Sequence, residues 1–293
     1  MKFAGYQIGQ PVVGLALGSG AARGWAHIGV LHALETEGIF PTVVAGSSAG
    51  AVVAAFHAAH ALDRLEDFVR NYTGFSKTIA HLDIGLGHGG MITGKRWLSN
   101  FLESYLPARD FKQLSMPLGV VAVDLISMRE VQVTSGPLIP AIRSSVAVPG
   151  FFSPYQFDDM LLVDGGLLNP VPIDLTRSLG ADIVIAVDLN SDSKESKTVP
   201  DSITSVIGRS FETMMQRVHQ TNMQLMQPDI TITPQLQTIG FLDYHKGKAS
   251  ILEGERAAYK MMPEIKRLLA SPIRPVAPPL ERDNVIHCEI GRW

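Results

Sequence analysis

The segment Val43–Gly50 reads Val-Val-Ala-Gly-Ser-Ser-Ala-Gly, and the rest of the chain is arranged around it. A short apolar strand runs into Gly46-x-Ser48-x-Gly50, and an Ala/Val-rich helix follows. The two glycines remove Cβ atoms that would clash in so sharp a turn, and the hydroxyl of Ser48 is left exposed above a helix N-terminus. This context predicts a nucleophile elbow, although the short pattern by itself also occurs in ordinary Gly/Ser turns.

The residues before the elbow predict a parallel sheet. Val12–Leu17 is an apolar run without helical period and predicts a buried strand. Gly18–Gly24 is a loop of small residues, and Trp25–Glu37 has helical spacing with Gly38 at the position of a C-cap. Strand, loop, helix, strand, elbow and helix therefore follow one another, an alternation that is typical of a parallel sheet with helices on its faces.

The remainder of the chain continues this α/β pattern. Strands are predicted at Leu118–Leu125, Glu130–Thr134, Leu161–Val163 and Asp182–Leu189. Helices are predicted at Leu62–Tyr72, Pro137–Val148, Val171–Leu179, Ile203–Met226 and Ala249–Leu269. The alternation in Glu130–Thr134 indicates an antiparallel strand with one face in water, and Asn284–Ile290 either adds an edge strand or stays loose.

The composition indicates one large core. The chain has 293 residues, 46% of them hydrophobic and 18% charged, and no internal repeat or composition break divides it. We expect an N-terminal extension over 1–10, one domain over 11–270 with its motifs within 12–189, and a Pro-rich C-terminal tail over 271–293.

Charge and cysteine content exclude several classes of protein. The net charge of −3 argues against nucleic-acid binding, and the single cysteine, Cys288, excludes a disulfide framework within the chain. Met1–Gln10 lacks the layout of a signal peptide, so we expect a cytoplasmic protein. Gly38–Leu62 carries no charged residue and is long enough to span a bilayer, but Pro41 and the elbow interrupt it, which favours a buried strand–turn–helix.

The segment His81–Gly94 holds five glycines among apolar residues. It is either a flexible apolar loop or a mobile flap over an apolar pocket. In the second case Ile84–Ile92 would border a site for an acyl chain.

Two loops of small residues define the candidate site. Parallel strands place such loops at their carboxyl ends, where α/β proteins build their sites. The N–H groups of Gly18–Gly24 would form an anion nest beside Ser48, the minimum equipment for acyl transfer. The same glycines also resemble a dinucleotide fingerprint, but the second strand ends in Gly46-Ser47-Ser48 rather than in the acidic residue that would hold a ribose.

A serine nucleophile needs a base, and none of the nine histidines lies in an obvious motif. The order of an α/β-hydrolase triad permits Asp188 with His219 or His245, yet that fold places its elbow after several strands rather than after the second. Asp164 stands at a predicted strand end, where a catalytic acid or a turn-capping role both fit.

The sequence resembles the bacterial patatin-like phospholipase family in four motifs that agree in order and spacing: Leu15–Leu31, Gly46–Gly50, Ala141–Gly150 and Asp164–Gly166. The similarity runs from about Val12 to Leu189 and is thin beyond Asn190. It implies a three-layer α/β/α fold with a mainly parallel central sheet. It also implies a hydrolase of carboxylic esters that cleaves fatty-acyl esters of lipids with a Ser–Asp dyad.

Carried over to this chain, the resemblance makes Ser48 the nucleophile and Asp164 the general base. The backbone N–H groups of Gly20, Ala21 and Arg23 would form the oxyanion hole. The motif glycines would be Gly46, Gly50, Gly165 and Gly166. No cofactor or metal is expected, because the sequence shows no Cys/His ligand cluster and no calcium-loop spacing.

One feature departs from the family. Members commonly carry three glycines ending two residues before the arginine, where this chain has Ser19, Gly20 and Ala21. The peptide N–H groups survive the change, but Ser19 and Ala21 tolerate positive φ badly, so we expect the change to affect the level of activity rather than its type.

A dyad without histidine requires a stronger base than an exposed carboxylate. We therefore expect Asp164 to be buried, with a raised pKa and within hydrogen-bonding reach of Ser48. The expected partner is a lipid or acyl-ester substrate. Transient contact with a membrane surface is compatible with the sequence but is not required by it. The sequence makes no prediction of the oligomeric state. The alternative function is a regulatory or lipid-sensing protein that keeps the fold, and peptide hydrolysis ranks lower because no histidine acid is evident.

Overall fold

The computed structural model describes residues 11–72, 90–92, 97–191, 201–272 and 284–289. Its strands are β1 Val13–Leu17, β2 Val43–Ser47, β3 Gly90–Ile92, β4 Leu118–Asp124, β5 Arg129–Ser135, β6 Gly150–Phe152, β7 Tyr155–Phe157, β8 Met160–Asp164, β9 Ile183–Val187, β10 Ile230–Ile232 and β11 Val285–Glu289. Its α-helices are α1 Ala26–Thr36, α2 Ala49–Ala58, α3 Leu62–Asn71, α4 Trp97–Tyr105, α5 Leu138–Ser145, α6 Ile173–Ser178, α7 Ile203–Met226 and α8 Gly247–Leu269.

The central sheet of the described residues has nine strands and follows the path β10–β9–β1–β2–β4–β5–β11. The first five strands of this path are parallel, β5 and β8 run antiparallel to β4, and β7 forms a hairpin with β8. The two short strands β3 and β6 pair apart from this sheet. The fold is thus α/β with a mixed, mostly parallel sheet, as predicted.

Helices cover both faces of the sheet. In β1, Leu15 and Leu17 point into the large core beneath α1, α2 and α8, and Ala16 points into a smaller cluster on the face of α6. Helices α1 and α8 pack very closely on the first face. The absence of a side chain at Gly254 permits this, since a Cβ there would lie 1.9 Å from the carbonyl oxygen of Ala26. The result is the predicted three-layer arrangement.

The prediction of one wet face on β5 is wrong. Glu130 and Gln132 are buried, with exposed fractions of 0% and 3%. Glu130 Oε1 accepts hydrogen bonds from Gln132 Nε2 at 2.8 Å and from Asn169 Nδ2 at 3.0 Å. The alternating polar residues therefore face a buried polar cluster rather than water.

The described C-terminal residues join the sheet. β11 pairs in parallel with β5, which resolves the two alternatives for Asn284–Ile290 in favour of an edge strand. The division of the chain at residue 271 stays a prediction. Most of the segment His81–Gly94, expected to be either a flexible loop or a flap, lies outside the described residues. Of its residues only Gly90–Ile92 are described, and they form β3. None of the described helices is both long enough and apolar enough to cross a bilayer.

Candidate active site

Ser48 occupies the sharp turn between β2 and α2. Its φ of 55° and ψ of −122° lie in a region that non-glycine residues rarely adopt. A Cβ at Gly50 would lie 2.1 Å from the carbonyl oxygen of Leu17, and one at Gly46 would lie 2.5 Å from the backbone nitrogen of Ala51. Both glycines are therefore required by close backbone approach, and the strand–turn–helix has the form that the sequence predicts.

The hydroxyl of Ser48 is hydrogen-bonded to a carboxylate. Ser48 Oγ donates to Asp164 Oδ2 at 2.5 Å. Each residue is only 5% exposed, so the expectation of an exposed Ser48 hydroxyl is wrong, because the carboxylate packs over it. The backbone N–H of Ser48 donates to Ser145 Oγ at 2.9 Å, which ties the elbow to the last residue of α5. Ser145 lies in the motif Ala141–Gly150, so its segment was recognised from the sequence, but its contact was not.

Asp164 is fixed at the end of β8. Its backbone N–H donates to the carbonyl of Ala147 at 3.0 Å, and its Oδ1 accepts from the N–H of Gly166 at 2.8 Å. Burial raises the pKa of Asp164 to about 6, against the hydrogen bonds from Ser48 and Gly166, which lower it. The expectation of a buried carboxyl group with a raised pKa, bonded to Ser48, is confirmed.

Gly165 lets the end of β8 approach β4. A Cβ at this position would lie 2.3 Å from the carbonyl oxygen of Val121 and 2.9 Å from Ser47 Oγ. The sequence signal for this contact is the pair of glycines after Asp164. Any side chain at position 165 would push the carboxylate away from the elbow.

The loop after β1 lies against the elbow. A Cβ at Gly24 would lie 2.4 Å from the Cβ of Ala49, the residue that follows Ser48. The loop passes into a short 3₁₀ turn, Ala21–Trp25, and Ala21 holds a left-handed φ of 48°. This is the strained conformation that the replacement of glycine by alanine brings to the loop.

The three predicted oxyanion donors differ in availability. The N–H groups of Gly20 and Ala21 have no acceptor among the described residues, whereas Arg23 N donates to the carbonyl of Gly20 at 3.0 Å. The N–H of Ala22 is also engaged, with the carbonyl of Phe241 at 3.1 Å. Arg23 is therefore an internal donor of the 3₁₀ turn. The sequence did not show this, because no local pattern distinguished a 3₁₀ turn from an open loop at these residues.

The alternative acid–histidine pair, Asp188 with His219, is present but does not contact the elbow. His219 Nε2 lies 2.9 Å from Asp188 Oδ2, and both side chains are buried. Ser191 Oγ also donates to Asp188, and none of the three contacts Ser48. Within the described part of the chain, Asp164 is the only titratable side chain hydrogen-bonded to Ser48.

The loop Gly18–Gly24 is anchored by side chains from two sides. His27 Nε2 lies 2.7 Å from the carbonyl oxygen of Gly18, and burial lowers the pKa of His27 to about 4. A neutral His27 therefore donates this hydrogen bond. Asn190 Nδ2 donates to the carbonyl of Ser19 at 3.0 Å. These contacts hold the N-terminal half of the nest in place without using the N–H groups of Gly20 and Ala21.

Tyr244 is a neighbour of the site that sequence reasoning missed. Its ring packs edge-on against Trp25, with ring centroids 6.1 Å apart. Burial and, to a lesser extent, the negative charge of Asp164 raise the pKa of Tyr244 to about 12. Tyr244 lies beyond Asn190, where the resemblance is thin, and no local pattern marks it.

The described residues offer no group of three or more His, Cys, Asp or Glu side chains placed to bind a metal ion. A small cleft lies beside the pair and is lined by Leu98, Arg143, Val146, Ala147, Phe152, Ser153 and Tyr155. The carbonyl of Ala147 connects this cleft to Asp164.

Comparison with known proteins finds relatives of this chain in bacteria and animals. An NTE family protein of Mycobacterium bovis is 34% identical over 276 residues, which cover 94% of this chain and 72% of that protein. Human patatin-like phospholipase domain-containing protein 6 is 30% identical over 200 residues, 66% of this chain and 14% of that protein. The crystal structure of VipD from Legionella pneumophila is similar over 87% of this chain and 67% of that chain, with a TM-score of 0.45 and 13% identity.

The sequence profile of the patatin-like phospholipases matches residues 15–177, a range that holds the elbow, the loop before it and the Asp164 turn. More than half of the chain is covered by this match, and the mycobacterial relative extends the similarity over nearly all of it. This chain belongs to the patatin-like phospholipase family, a family of lipid acyl hydrolases.

Proposed function

We propose that this protein is a serine acyl hydrolase that uses Ser48 and Asp164 to cleave fatty-acyl esters of lipids. The observation that carries the proposal is the 2.5 Å hydrogen bond between Ser48 Oγ and the buried carboxylate of Asp164. A nucleophile with an adjacent base, beside unoccupied N–H donors, is the arrangement that acyl transfer requires.

The reaction starts from ionised Asp164. Its carboxylate takes the proton of Ser48 as the oxygen attacks the acyl carbonyl carbon, and the carbonyl electrons move to the oxygen. The N–H groups of Gly20 and Ala21 stabilise this oxyanion, and loss of one such donor typically lowers the rate by roughly 10²–10³-fold. The backbone N–H of Arg23 can join them only if its hydrogen bond to the carbonyl of Gly20 breaks. The C–O bond to the alcohol then breaks as Asp164 protonates the departing oxygen, which leaves an acyl-serine. Water, deprotonated by the same carboxylate, attacks the acyl carbon, and the bond to Ser48 Oγ breaks as Asp164 returns the proton to that oxygen and the fatty acid leaves.

The raised pKa makes an aspartate adequate for this chemistry. A carboxylate with a pKa of about 6 is a stronger base than an exposed one, yet it is still ionised at neutral pH. An ester is more electrophilic than an amide, and its leaving alkoxide needs less assistance from an acid. The absence of a histidine hydrogen-bonded to Ser48 within the described residues therefore favours esters over peptides as substrates.

The proposed substrates belong to lipid degradation, with hydrolysis at a carboxylic ester bond. Such substrates reside in membranes or micelles, so the protein meets them in transient contact with a lipid surface. We place this activity in the cytoplasm, because a single cysteine fits a reducing compartment in which disulfides are rare.

The test is labelling of the purified protein by a fluorophosphonate, together with release of free fatty acid from a phospholipid. Wild-type protein should react, Ser48→Ala should not, and Asp164→Asn should react far more slowly. Ser47→Ala is the matched control, because Ser47 is equally buried and its hydroxyl has no partner among the described residues.

Labelling of Ser48→Ala at the level of wild type would contradict the assignment of the nucleophile. Folded wild-type protein that neither reacts nor releases fatty acid would instead favour the regulatory or lipid-sensing alternative. The strained Ala21 would then be the first residue to examine.

A further inference from the structure

The turn between β4 and β5 exposes three apolar side chains. Leu125, Ile126 and Met128 are 43%, 64% and 78% exposed. Turns of this kind ordinarily carry Gly, Asn, Asp, Ser or Pro, because their side chains face water. We name Leu125–Met128 the apolar tip.

The exposure of the apolar tip is built into a rigid turn. The carboxylate of Asp124 accepts hydrogen bonds from the N–H of Ile126 at 3.2 Å, from the N–H of Ser127 at 3.0 Å and from the N–H of Leu161 at 2.9 Å. Ser127 Oγ donates to the same carboxylate at 2.6 Å. Because these bonds fix the backbone from inside, the apolar side chains are held outward.

The apolar tip projects from the edge of the sheet that carries the Ser48–Asp164 pair. In the parallel pairing of β2 with β4, Ser47 is opposite Val121, and on β8 Asp164 is opposite Ala122. The tip begins three residues further along β4 than Ala122, which at about 3.3 Å per residue is roughly 10 Å beyond the pair.

A second apolar pair lies beside the oxyanion loop. Phe241 and Leu242 are 43% and 45% exposed, and the carbonyl of Phe241 accepts the N–H of Ala22. Exposed apolar side chains therefore flank the site along two of its borders. Within each of these two groups the exposed apolar residues are near neighbours in the chain, and a group of exposed apolar side chains beside a site is a mark of an interaction surface.

We propose that the apolar tip and the Phe241–Leu242 pair insert into a lipid surface and bring Ser48 to ester bonds at that surface. The proposal rests on the proposed function, since a lipid ester is the substrate that lies within such a surface. Shallow insertion of aliphatic and aromatic side chains needs no shape complementarity, only apolar area that enters the interface.

The charge beside the apolar tip selects the kind of surface. The β7–β8 turn on the neighbouring hairpin carries Asp158 and Asp159, both exposed, whereas Arg129 next to the tip is half-buried and its guanidinium donates to the carbonyl of Val285. Carboxylates are repelled by the negative potential of an anionic membrane. The surface proposed is therefore zwitterionic.

The binding test uses Ser48→Ala protein, which leaves the lipid intact, and sedimentation with vesicles of phosphatidylcholine. The variant Ile126→Ser/Met128→Asn should bind roughly a hundredfold more weakly, because each of the two apolar side chains that leave the interface removes about a factor of ten. Asparagine suits position 128 because Met128 has a φ of 57°. The matched control is Phe40→Ser: Phe40 is 65% exposed and precedes β2 at the opposite edge of the sheet.

The activity test keeps Ser48. Ile126→Ser/Met128→Asn should hydrolyse a short water-soluble ester as wild type does, and it should lose activity on phosphatidylcholine vesicles. If no ester is hydrolysed but the tip variant still loses vesicle binding, the proposed function fails and the docking surface stands. If esters are hydrolysed and vesicles are not bound, the docking surface is wrong.

Three further results would overturn the proposal. One is vesicle binding by the tip variant equal to that of its parent, or an equal loss in Phe40→Ser. Another is stronger binding to phosphatidylserine vesicles than to phosphatidylcholine, which would contradict the choice of surface. The third is a dimer in solution that the tip substitutions dissociate, since a second copy of the chain would then cover the tip.

Discussion

Ser48 Oγ donates to Asp164 Oδ2 across 2.5 Å, although 116 positions separate the two residues in the chain. Two independent constraints create this contact: the elbow, which needs Gly50 against Leu17, and the end of β8, which needs Gly165 against Val121. The pair is thus held by backbone packing on both sides. The burial that accompanies this packing is also what raises the pKa of the carboxyl group.

The rate of ester hydrolysis should follow the ionisation of Asp164. Its pKa of about 6 predicts that kcat/KM is constant at neutral pH and falls about tenfold per pH unit well below pH 6. A pH profile with a water-soluble ester checks this. A single midpoint near pH 4 would show that the base is an ordinary exposed carboxylate and would contradict the prediction.

Asp164→Asn should make the protein more stable at neutral pH while it lowers activity. The pKa of Asp164 is higher in the folded protein than its ordinary value of 3.8, so the fold loses stability as pH rises from about 4 through about 6. The difference of about two pH units corresponds to roughly 2–3 kcal/mol.

Thermal or urea unfolding of both proteins at about pH 4 and pH 8 measures this effect. The advantage of Asp164→Asn should be present at the higher pH and small at the lower one. A variant that is less stable than wild type at both pH values would contradict the prediction.

Ala21→Gly should relieve strain in the oxyanion loop. Alanine at a φ of 48° costs roughly 1–2 kcal/mol, part of which glycine gives back through its greater freedom in the unfolded chain. We expect a gain of up to about 1 kcal/mol in the free energy of unfolding, with fluorophosphonate labelling retained or faster.

Ala22→Gly is the control for this loop. Ala22 is fully buried and is not among the residues with positive φ, so glycine there should destabilise the fold by about 1 kcal/mol. Equal losses of stability in Ala21→Gly and Ala22→Gly would show that the left-handed conformation carries no strain.

Ser145→Ala should lower kcat through the position of the elbow. The substitution removes the acceptor of the Ser48 N–H, which leaves a buried donor unpaired at a cost of about 1–3 kcal/mol in stability. We expect roughly a tenfold loss in kcat with little change in KM.

Ser144→Ala is the matched control for Ser145→Ala. Ser144 is fully buried on the same helix, but its hydroxyl donates to the carbonyl of Ala141 rather than contacting the elbow. Kinetic assays should show a normal kcat for Ser144→Ala. An equal loss of kcat in both variants would indicate a general effect of α5 on the fold.

The local sequence pattern was sufficient to predict elements whose conformation depends mainly on their own residues. β1, β2 and the elbow were predicted from apolar runs and from glycines at fixed offsets, and the structure has them within a residue or two. The three-residue strands β6 and β7 were not predicted, because neither is a continuous aliphatic run and each forms only by pairing with its partner strand.

Contacts between distant segments could not be read in the same way. The pairing of Ser48 with Asp164 was expected only because the motifs resemble a known family. Tyr244 was missed because the four motifs that carry the resemblance all lie before it. Glu130 and Gln132 alternate as a solvent-exposed strand would, yet Asn169 covers them. Their burial is a property of the assembled layers, and no property of the strand itself encodes it.

The pairing of β11 with β5 also has a consequence for handling the protein. Without Val285–Glu289, β5 would present a free row of N–H and C=O groups at the end of the sheet, a template on which another chain can add a strand. A version shortened after α8 should therefore self-associate as its concentration rises. By covering the edge of β5, β11 protects the protein from aggregation. A purification tag is therefore better placed away from β11.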